Sequence, residues 1–312
     1  MCPNDNYLAR IEAEGICPGA AVRRSCPVCA SSALRYWGSK FGYDLMKCGF
    51  CSHVCVQPLP PTDEIRRGYS GVAETPYVTM PRADYYRYLK KDEGGHIGHV
   101  SPLVVRLVAR YSSDTAARQW LDIGAGSGYL LEQARLAGWD AQGIEVGHWG
   151  AMAAQERHIP IVQGLFEDYE FGAQRFDVLS AIDVLEHTGD VYQFIRKCRD
   201  LARLGSLLVV AVPCSSSPHG WFGFLRRRWA MIGPPTHLHY FSHRSLVHLL
   251  DISGFKPLEV IRFEVGGYPI GKLQLVRKLV DKLARFVVDR LNLGDQILVV
   301  ARSVTRPGHR HA

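Results

Sequence analysis

The run Leu121-Asp122-Ile123-Gly124-Ala125-Gly126-Ser127-Gly128 stands where a short apolar segment stops and a helical pattern, Tyr129–Ala137, begins. A strand-to-helix junction is where an open α/β sheet presents its ligands. Glycines there let the backbone turn sharply and approach a ligand that a Cβ would exclude. The spacing is Gly-x-Gly-x-Gly, not the Gly-x-Gly-x-x-Gly of dinucleotide sites, so no pyrophosphate need be cradled. Asp122 sets a carboxylate beside the loop, which suits a ligand carrying an ammonium and a sulfonium and suits a diphosphate poorly.

Outward from that loop, short apolar runs alternate with helical stretches. Residues 120–124, 141–146, 161–164, 176–182 and 207–212 read as strands, and Tyr129–Ala137, His148–Arg157 and Val191–Leu204 as helices. Such alternation predicts an α/β fold with a doubly wound, mostly parallel sheet covered on both faces. Two later strands, Pro257–Phe263 and Gln296–Arg302, are expected to pair antiparallel at the sheet edge, bringing the total to seven. Glu145 ends the second strand, 17 residues after Gly128, where an acidic side chain can accept hydrogen bonds from both hydroxyls of a ribose.

The loop Asp122–Gly128, Glu145 and the run from Phe176 to His187 together resemble the class I S-adenosylmethionine-dependent methyltransferases. They are most similar to the branch that holds ubiquinone O-methyltransferases and sugar methyltransferases. The likeness covers residues 100–265 and implies a Rossmann-like methyltransferase core. It implies that Gly124, Ala125, Gly126 and Gly128 pack against the methionine part of the cofactor, that Asp122 holds its amino group and Glu145 its ribose. Gly164, Leu165 and Phe166 would flank adenine, with Glu167 or Asp168 near the adenine amino group. Asp183 would face the methyl-transfer site, with His187 in a structural role.

Methyl transfer to a hydroxyl or carbon acid needs an aligned acceptor and a base, and histidine is the usual base near neutrality. Thr236-His237-Leu238-His239-Tyr240-Phe241-Ser242 resembles a segment of zinc-ribbon sugar C-methyltransferases, which implies His237 as the base. Thr236 stands where those relatives carry a glutamate. His239 is the second catalytic candidate, expected to point away from His237. Arg226, Arg227 and Arg228, between Trp221 and Trp229, suit a phosphate-bearing acceptor, and Tyr240 completes the expected acceptor contacts.

Seven of the nine cysteines fall in residues 1–57. Cys26-x2-Cys29 and Cys48-x2-Cys51 lie 18 residues apart, the spacing of a closed, structural four-cysteine zinc site, with His53 and Cys55 as alternative ligands. Sugar C-methyltransferases carry a similar N-terminal ribbon, followed by a second Rossmann-like domain that this chain lacks room for.

The whole chain fits this division. Its 312 residues, 47% hydrophobic and 21% charged, accommodate one α/β domain and a small accessory unit. Residues 1–57 read as the zinc ribbon, 58–118 as a linker and aromatic, helical lid, 119–265 as the core, and 266–312 as a basic amphipathic helix and the last strand. That helix, residues 270–291, would pack on the core, join a homodimer or touch a membrane surface. Without a secretory or membrane-spanning run the chain is expected in the cytoplasm. A formal charge of +7 admits an anionic or nucleotide-linked small acceptor but lacks the density of a nucleic-acid arm. The expected activity is O-methylation of a sugar, nucleotide-sugar or polysaccharide or natural-product intermediate. C-methylation of a keto-sugar, nucleic-acid methylation and a non-catalytic binding module are the rival readings.

Overall fold

The computed structural model describes residues 25–61, 65, 87, 90–91, 93–112, 118–217, 232–263 and 293–304. Three strands come first: β1 (Leu34–Lys40), β2 (Tyr43–Cys48) and β3 (Val54–Gln57). Helix α1 (His96–Tyr111) leads into β4 (Gln119–Ile123), α2 (Tyr129–Leu136), β5 (Asp140–Glu145), α3 (His148–Glu156) and β6 (Ile161–Gln163). Then follow β7 (Phe176–Ile182), a 3-10 turn (Leu185–His187), α4 (Val191–Leu201) and β8 (Ala202–Pro213). The last elements are β9 (His239–Tyr240), α5 (His243–Ile252), β10 (Phe255–Phe263) and β11 (Gln296–Ser303).

The main sheet has seven strands in the order β10-β11-β8-β7-β4-β5-β6. β6, β5, β4, β7 and β8 run parallel. β11 enters antiparallel to β8 and β10 antiparallel to β11, so the two late strands do form the expected antiparallel edge pair, with β10 outermost. Period-2 alternation divides the core between the faces. Leu208, Val210 and Val212 join Phe194 of α4 and Leu246 of α5 on one face. Val209 and Ala211 join Val104 of α1, Leu130 of α2 and Ala154 of α3 on the other. Burying a large side chain contributes about 1.5–3 kcal/mol, and Trp120, Phe176, Phe194 and Phe255 are all fully buried. Helix α4 stops at Leu201, three residues before the expected Leu204, because β8 already begins at Ala202.

Two placements differ from a division at residue 119. Helix α1 belongs to the packed core through Val100, Val104, Leu107 and Val108. The segment carrying β9 leaves the main sheet and becomes the fourth strand of a second sheet, β1-β2-β3-β9. No helix among the described residues is long and apolar enough to cross a membrane. The Trp221–Trp229 stretch with Arg226, Arg227 and Arg228, and the basic helix expected at 270–291, lie outside the described residues.

Candidate functional site

The site is assembled at the carboxyl ends of the parallel strands. Gly124, Gly126 and Gly128 all have positive φ, at +71°, +51° and +76°. A Cβ on Gly124 would lie 2.4 Å from the Val184 side chain, so that position is closed to any other residue. A Cβ on Gly126 would meet nothing within 4 Å, so the loop leaves open space there. The N–H groups of Gly124 and Ala125 donate to the Ile144 carbonyl at 2.8 and 3.2 Å, pinning the loop to β5.

Two acids lie beneath the loop. Glu145 accepts from the N–H of Gly126 at 2.8 Å and of Gly147 at 2.6 Å. Burial pushes its carboxyl above the usual range, and those N–H groups oppose the rise. Asp122, 4% exposed, accepts from Ser180 Oγ at 2.5 Å, and that hydroxyl in turn accepts from Trp120 Nε1 at 2.8 Å. Burial raises Asp122 to about 7; the Ser180 hydrogen bond lowers it and the Glu145 charge raises it further. A buried carboxyl with no cationic partner among these contacts gains most from a ligand that brings a positive charge.

A cavity of about 560 Å³ opens in front of this floor. Gly124 and Glu145 line it together with Gly164, Leu165, Phe166, Glu167, Asp183 and His187. Asp122, Ala125, Gly126, Gly128 and Asp168 are not among the lining residues, and Asp168 is exposed. Leu59 and Ile65, from the segment that follows β3, close one side. Thr188, Gly189 and Gln193 also line the wall and were not legible as site residues, because they follow the 3-10 turn and carry no motif.

Beyond Asp183 the chain turns through Leu185–His187 and meets the segment ahead of β9. The Leu238 N–H donates to the Glu186 carbonyl at 2.8 Å. His187 Nδ1 lies 2.8 Å from the Thr236 carbonyl; a carbonyl only accepts, so the proton sits on Nδ1 and Nε2 is left as the acceptor. Burial, followed by the neighbouring His237, lowers His187 to about 3, so it is neutral at physiological pH and a weak base. The ring of His237 meets it edge-on at 4.7 Å. Glu186 is 1% exposed, neither carboxylate oxygen has a hydrogen bond, His187 Nε2 lies 3.8 Å from its Oε1, and burial and the Asp183 charge raise its pKa well above the usual range. One ligand atom from each of Glu186, His187 and His237 lies within 4.8 Å of the others, a donor set that could hold a divalent cation.

His239 and Tyr240 point elsewhere. His239 is 1% exposed, its Nδ1 lies 3.1 Å from His53 Nε2, and the two rings stack at 5.3 Å. Tyr240 is fully buried and its hydroxyl donates to the His237 carbonyl at 2.9 Å. Neither lines the cavity, and His237 is not among its lining residues either but meets one of them, His187: His239 braces β9 against the three-stranded unit, and Tyr240 holds the backbone of His237. The His237 and His239 side chains do part, but not through strand alternation, which would set residues i and i+2 on one face: β9 begins only at His239, and His237 stands ahead of it after a turn.

The four expected cysteines converge. Cys26 Sγ lies 3.5 Å from Cys51 Sγ and Cys29 Sγ 3.6 Å from Cys48 Sγ, with all four sulfurs within 4.8 Å. Tetrahedral zinc with bonds of about 2.3 Å requires sulfurs about 3.8 Å apart, so the cluster fits the ion. The N–H groups of Phe50 and Cys51 point at Cys48 Sγ at 3.4 and 3.5 Å, as a thiolate knuckle requires. The hydrogen bond that Cys26 and Cys51 share lowers Cys26 to about 5 and raises Cys51, while burial raises Cys29. His53 and Cys55 lie outside the cluster: His53 stacks on His239, and Cys55 pairs in register with it.

Asp183 has two partners that no motif announced. His96 Nε2, at the start of α1, lies 2.5 Å from its Oδ2, and Gln296 Nε2, at the start of β11, lies 3.3 Å from its Oδ1. Their separations in sequence, 87 and 113 residues, hide them from any local reading.

Comparison with known proteins agrees with this geometry. Residues 96–260 match the family model of the methyltransferase domain. A ubiquinone biosynthesis O-methyltransferase of Cereibacter sphaeroides is 26% identical over 157 residues, 45% of this chain and 60% of that protein. That of Azorhizobium caulinodans is 30% identical over 97 residues, 29% of this chain and 38% of that protein. The chain thus spans less than two thirds of the length of either relative. Among solved structures, a SAM-dependent methyltransferase from Archaeoglobus fulgidus superposes with a TM-score of 0.50 at 16% identity, covering 69% of this chain and 99% of that one. The plantazolicin methyltransferase BamL superposes with a TM-score of 0.52 at 12% identity, covering 78% and 99%. These likenesses concern the fold.

Proposed function

Because the chain belongs to the methyltransferase-domain family, and within it to the class I S-adenosylmethionine-dependent enzymes, we propose that it methylates a hydroxyl of a small metabolite: a sugar, a nucleotide-sugar, or a polysaccharide or natural-product intermediate. The observation that carries this reading is the single cavity on which Gly124, Glu145, Gly164 to Phe166, Asp183 and His187 converge. The matched relatives bear the name O-methyltransferase, which supports oxygen as the methylated atom.

When bound, S-adenosylmethionine supplies a methyl carbon on a sulfonium, whose C–S bond breaks with its electron pair staying on sulfur as the acceptor oxygen forms the new C–O bond. Asp122 and Glu145 hold the amino group and the ribose hydroxyls, Gly124, Ala125, Gly126 and Gly128 admit the methionine part, and Gly164, Leu165 and Phe166 flank the adenine. Asp183 orients the acceptor hydroxyl. His237 takes its proton, because His187 beside it is too weak a base. The Tyr240 hydroxyl fixes the His237 backbone, and Arg226, Arg227 and Arg228 are retained as contacts for an anionic acceptor. Cys26, Cys29, Cys48 and Cys51 hold a structural zinc ion.

The test is calorimetric titration with S-adenosylhomocysteine, followed by transfer from radiolabelled S-adenosylmethionine to UDP-glucose, dTDP-glucose and 3,4-dihydroxybenzoate. Micromolar binding and label on one of these acceptors are expected; no binding of S-adenosylhomocysteine overturns the reading. His237→Ala should lower turnover at least about 100-fold, within the range for loss of a general base, with affinity for S-adenosylhomocysteine within about twofold of wild type. Full turnover by that variant removes His237 as the base.

The Asp122 carboxyl gives the cofactor site a pH signature. An ammonium beside it favours the charged form and lowers a pKa that is about 7 in the free protein. Binding below pH 7 must therefore expel a proton, and S-adenosylhomocysteine affinity should fall as pH drops from 8 to 6, by up to about tenfold per unit below 7. Titration at three pH values, in buffers of unlike ionisation enthalpy, measures both the affinity and the proton released. A flat profile would place the ammonium away from Asp122.

A further inference from the structure

We propose that His96 and Gln296 clamp Asp183 from behind, and thereby make its carboxylate a fixed hydrogen-bond acceptor for the hydroxyl that is to be methylated; His96 is a positioning residue for the reaction. This deepens the methyl-transfer reading and rests on it.

The topology explains the convergence. β7 runs parallel within the sheet and ends at Ile182, so Asp183 stands at the carboxyl edge. β11 is antiparallel to β8, so its first residue, Gln296, starts at that same edge opposite Pro213. β10 is antiparallel in turn to β11 and ends there at Phe263, paired with Gln296. The His96 ring stacks on Phe263, at 6.2 Å between centroids and 13° between planes, which fixes the direction of its Nε2.

Asp183 is held at both backbone and side chain. Its φ is +53°, in the left-handed region that aspartate adopts more readily than most residues that carry a Cβ. Its N–H donates to the Ala211 carbonyl at 2.9 Å, which secures the backbone, and the two side-chain donors secure the carboxylate. A carboxylate offers about four lone-pair sites. His96 and Gln296 occupy two of them, and neither residue lines the cavity, whereas Asp183 does. The Asp183 side chain is 31% exposed, so the remaining lone pairs are open to a ligand. Gln296 is 2% exposed, and its Oε1 is buried without a partner, so its amide is committed to the aspartate side.

A hydroxyl donating to a carboxylate that cannot swing presents its lone pair in one direction, and in-line displacement depends on that direction. As the C–O bond forms, that proton passes along the hydrogen bond to the Asp183 carboxylate and from there to His237. Holding the acceptor oxygen is worth rate rather than cofactor affinity, because Asp183 sits at the acceptor end of the cavity.

The experiment uses the full chain. His96→Ala is expected to lower kcat for methyl transfer to the acceptor probe by about 100-fold, the cost of a misplacement near 1 Å, with KM for S-adenosylmethionine and Kd for S-adenosylhomocysteine within twofold. His96→Gln, whose amide can donate from the same place, should return kcat to within about tenfold of wild type. In histidine-labelled protein loaded with S-adenosylhomocysteine, one ring N–H among the 13 histidines should resonate far downfield and vanish in both His96→Gln and Asp183→Asn. An active wild type whose His96→Ala variant keeps kcat within twofold overturns the role of His96. So does equal loss in the Ala and Gln variants accompanied by lost S-adenosylhomocysteine binding, which marks a merely structural residue. A wild type that binds no S-adenosylhomocysteine overturns the functional reading itself. Where it binds but methylates none of the probes, the downfield proton decides: its presence supports the clamp and its absence overturns it.

Discussion

Glu145→Ala should lower affinity for S-adenosylhomocysteine by at least about 100-fold while the chain stays folded. Two effects combine. The carboxylate is the proposed acceptor for both ribose hydroxyls, and hydrogen bonds to a charged group contribute about 1.5–3 kcal/mol each. It also accepts from the N–H groups of Gly126 and Gly147, so its removal frees the glycine loop from the end of β5. Glu145→Gln separates them. Its amide oxygen can still accept one loop N–H, but its NH2 group faces donors, so an intermediate loss near tenfold is expected. Calorimetric titration measures the affinities, and thermal unfolding followed by circular dichroism checks the fold. An unchanged affinity in Glu145→Ala would move the ribose away from β5 and with it the proposed orientation of the cofactor.

The second large effect concerns the cysteine unit. Cys48→Ser should leave the chain without the proposed zinc ion, lower its unfolding temperature and reduce acceptor methylation at least about 100-fold, while S-adenosylhomocysteine affinity changes less than about threefold. The reason is the path of the chain after residue 232. β9 pairs with β3, with Val54 opposite Tyr240 and Cys55 opposite His239. Ser242 Oγ donates to the Cys51 carbonyl at 3.1 Å, the Val56 N–H donates to the Leu238 carbonyl at 3.0 Å, and Lys40 Nζ donates to the Ile232 carbonyl. The segment that carries His237 is therefore held by the cysteine unit on one side and by Glu186 and His187 on the other. Structural zinc sites supply folding free energy of about 10–16 kcal/mol in isolated peptides, so losing the ion releases the first of these supports. The glycine loop and Glu145 rest on β4 and β5 and keep theirs. Metal content by mass spectrometry under non-denaturing conditions, the two binding assays and the unfolding temperature read the outcome. Loss of S-adenosylhomocysteine binding to the same degree as turnover would show that the unit supports the whole fold and not the acceptor side alone.

Much of this protein was legible from residue order alone, wherever the signal is local. The glycine loop declares itself because positive φ at Gly124, Gly126 and Gly128 confines the choice of residue. Short apolar runs marked the strands because a parallel sheet covered on both faces buries nearly every side chain along them, and the four cysteines were legible because a knuckle brings its two thiolates together over a fixed short spacing. Asp122, Glu145 and Asp183 were placed by standing at or next to the ends of such strands. What only the tertiary structure decided concerns groups brought together across long separations, where no local period records the partner. The antiparallel return of β10 and β11 sets Gln296 and Phe263 beside Asp183 and His96. The departure of β9 from the main sheet buries His239 on His53 and leaves His237 against His187. Two histidines with one residue between them look alike in a sequence; one braces the cysteine unit and the other meets the Leu185–His187 turn, because His239 lies within β9 and His237 ahead of it, and only the fold determines where the strand begins to pair and what each side chain meets.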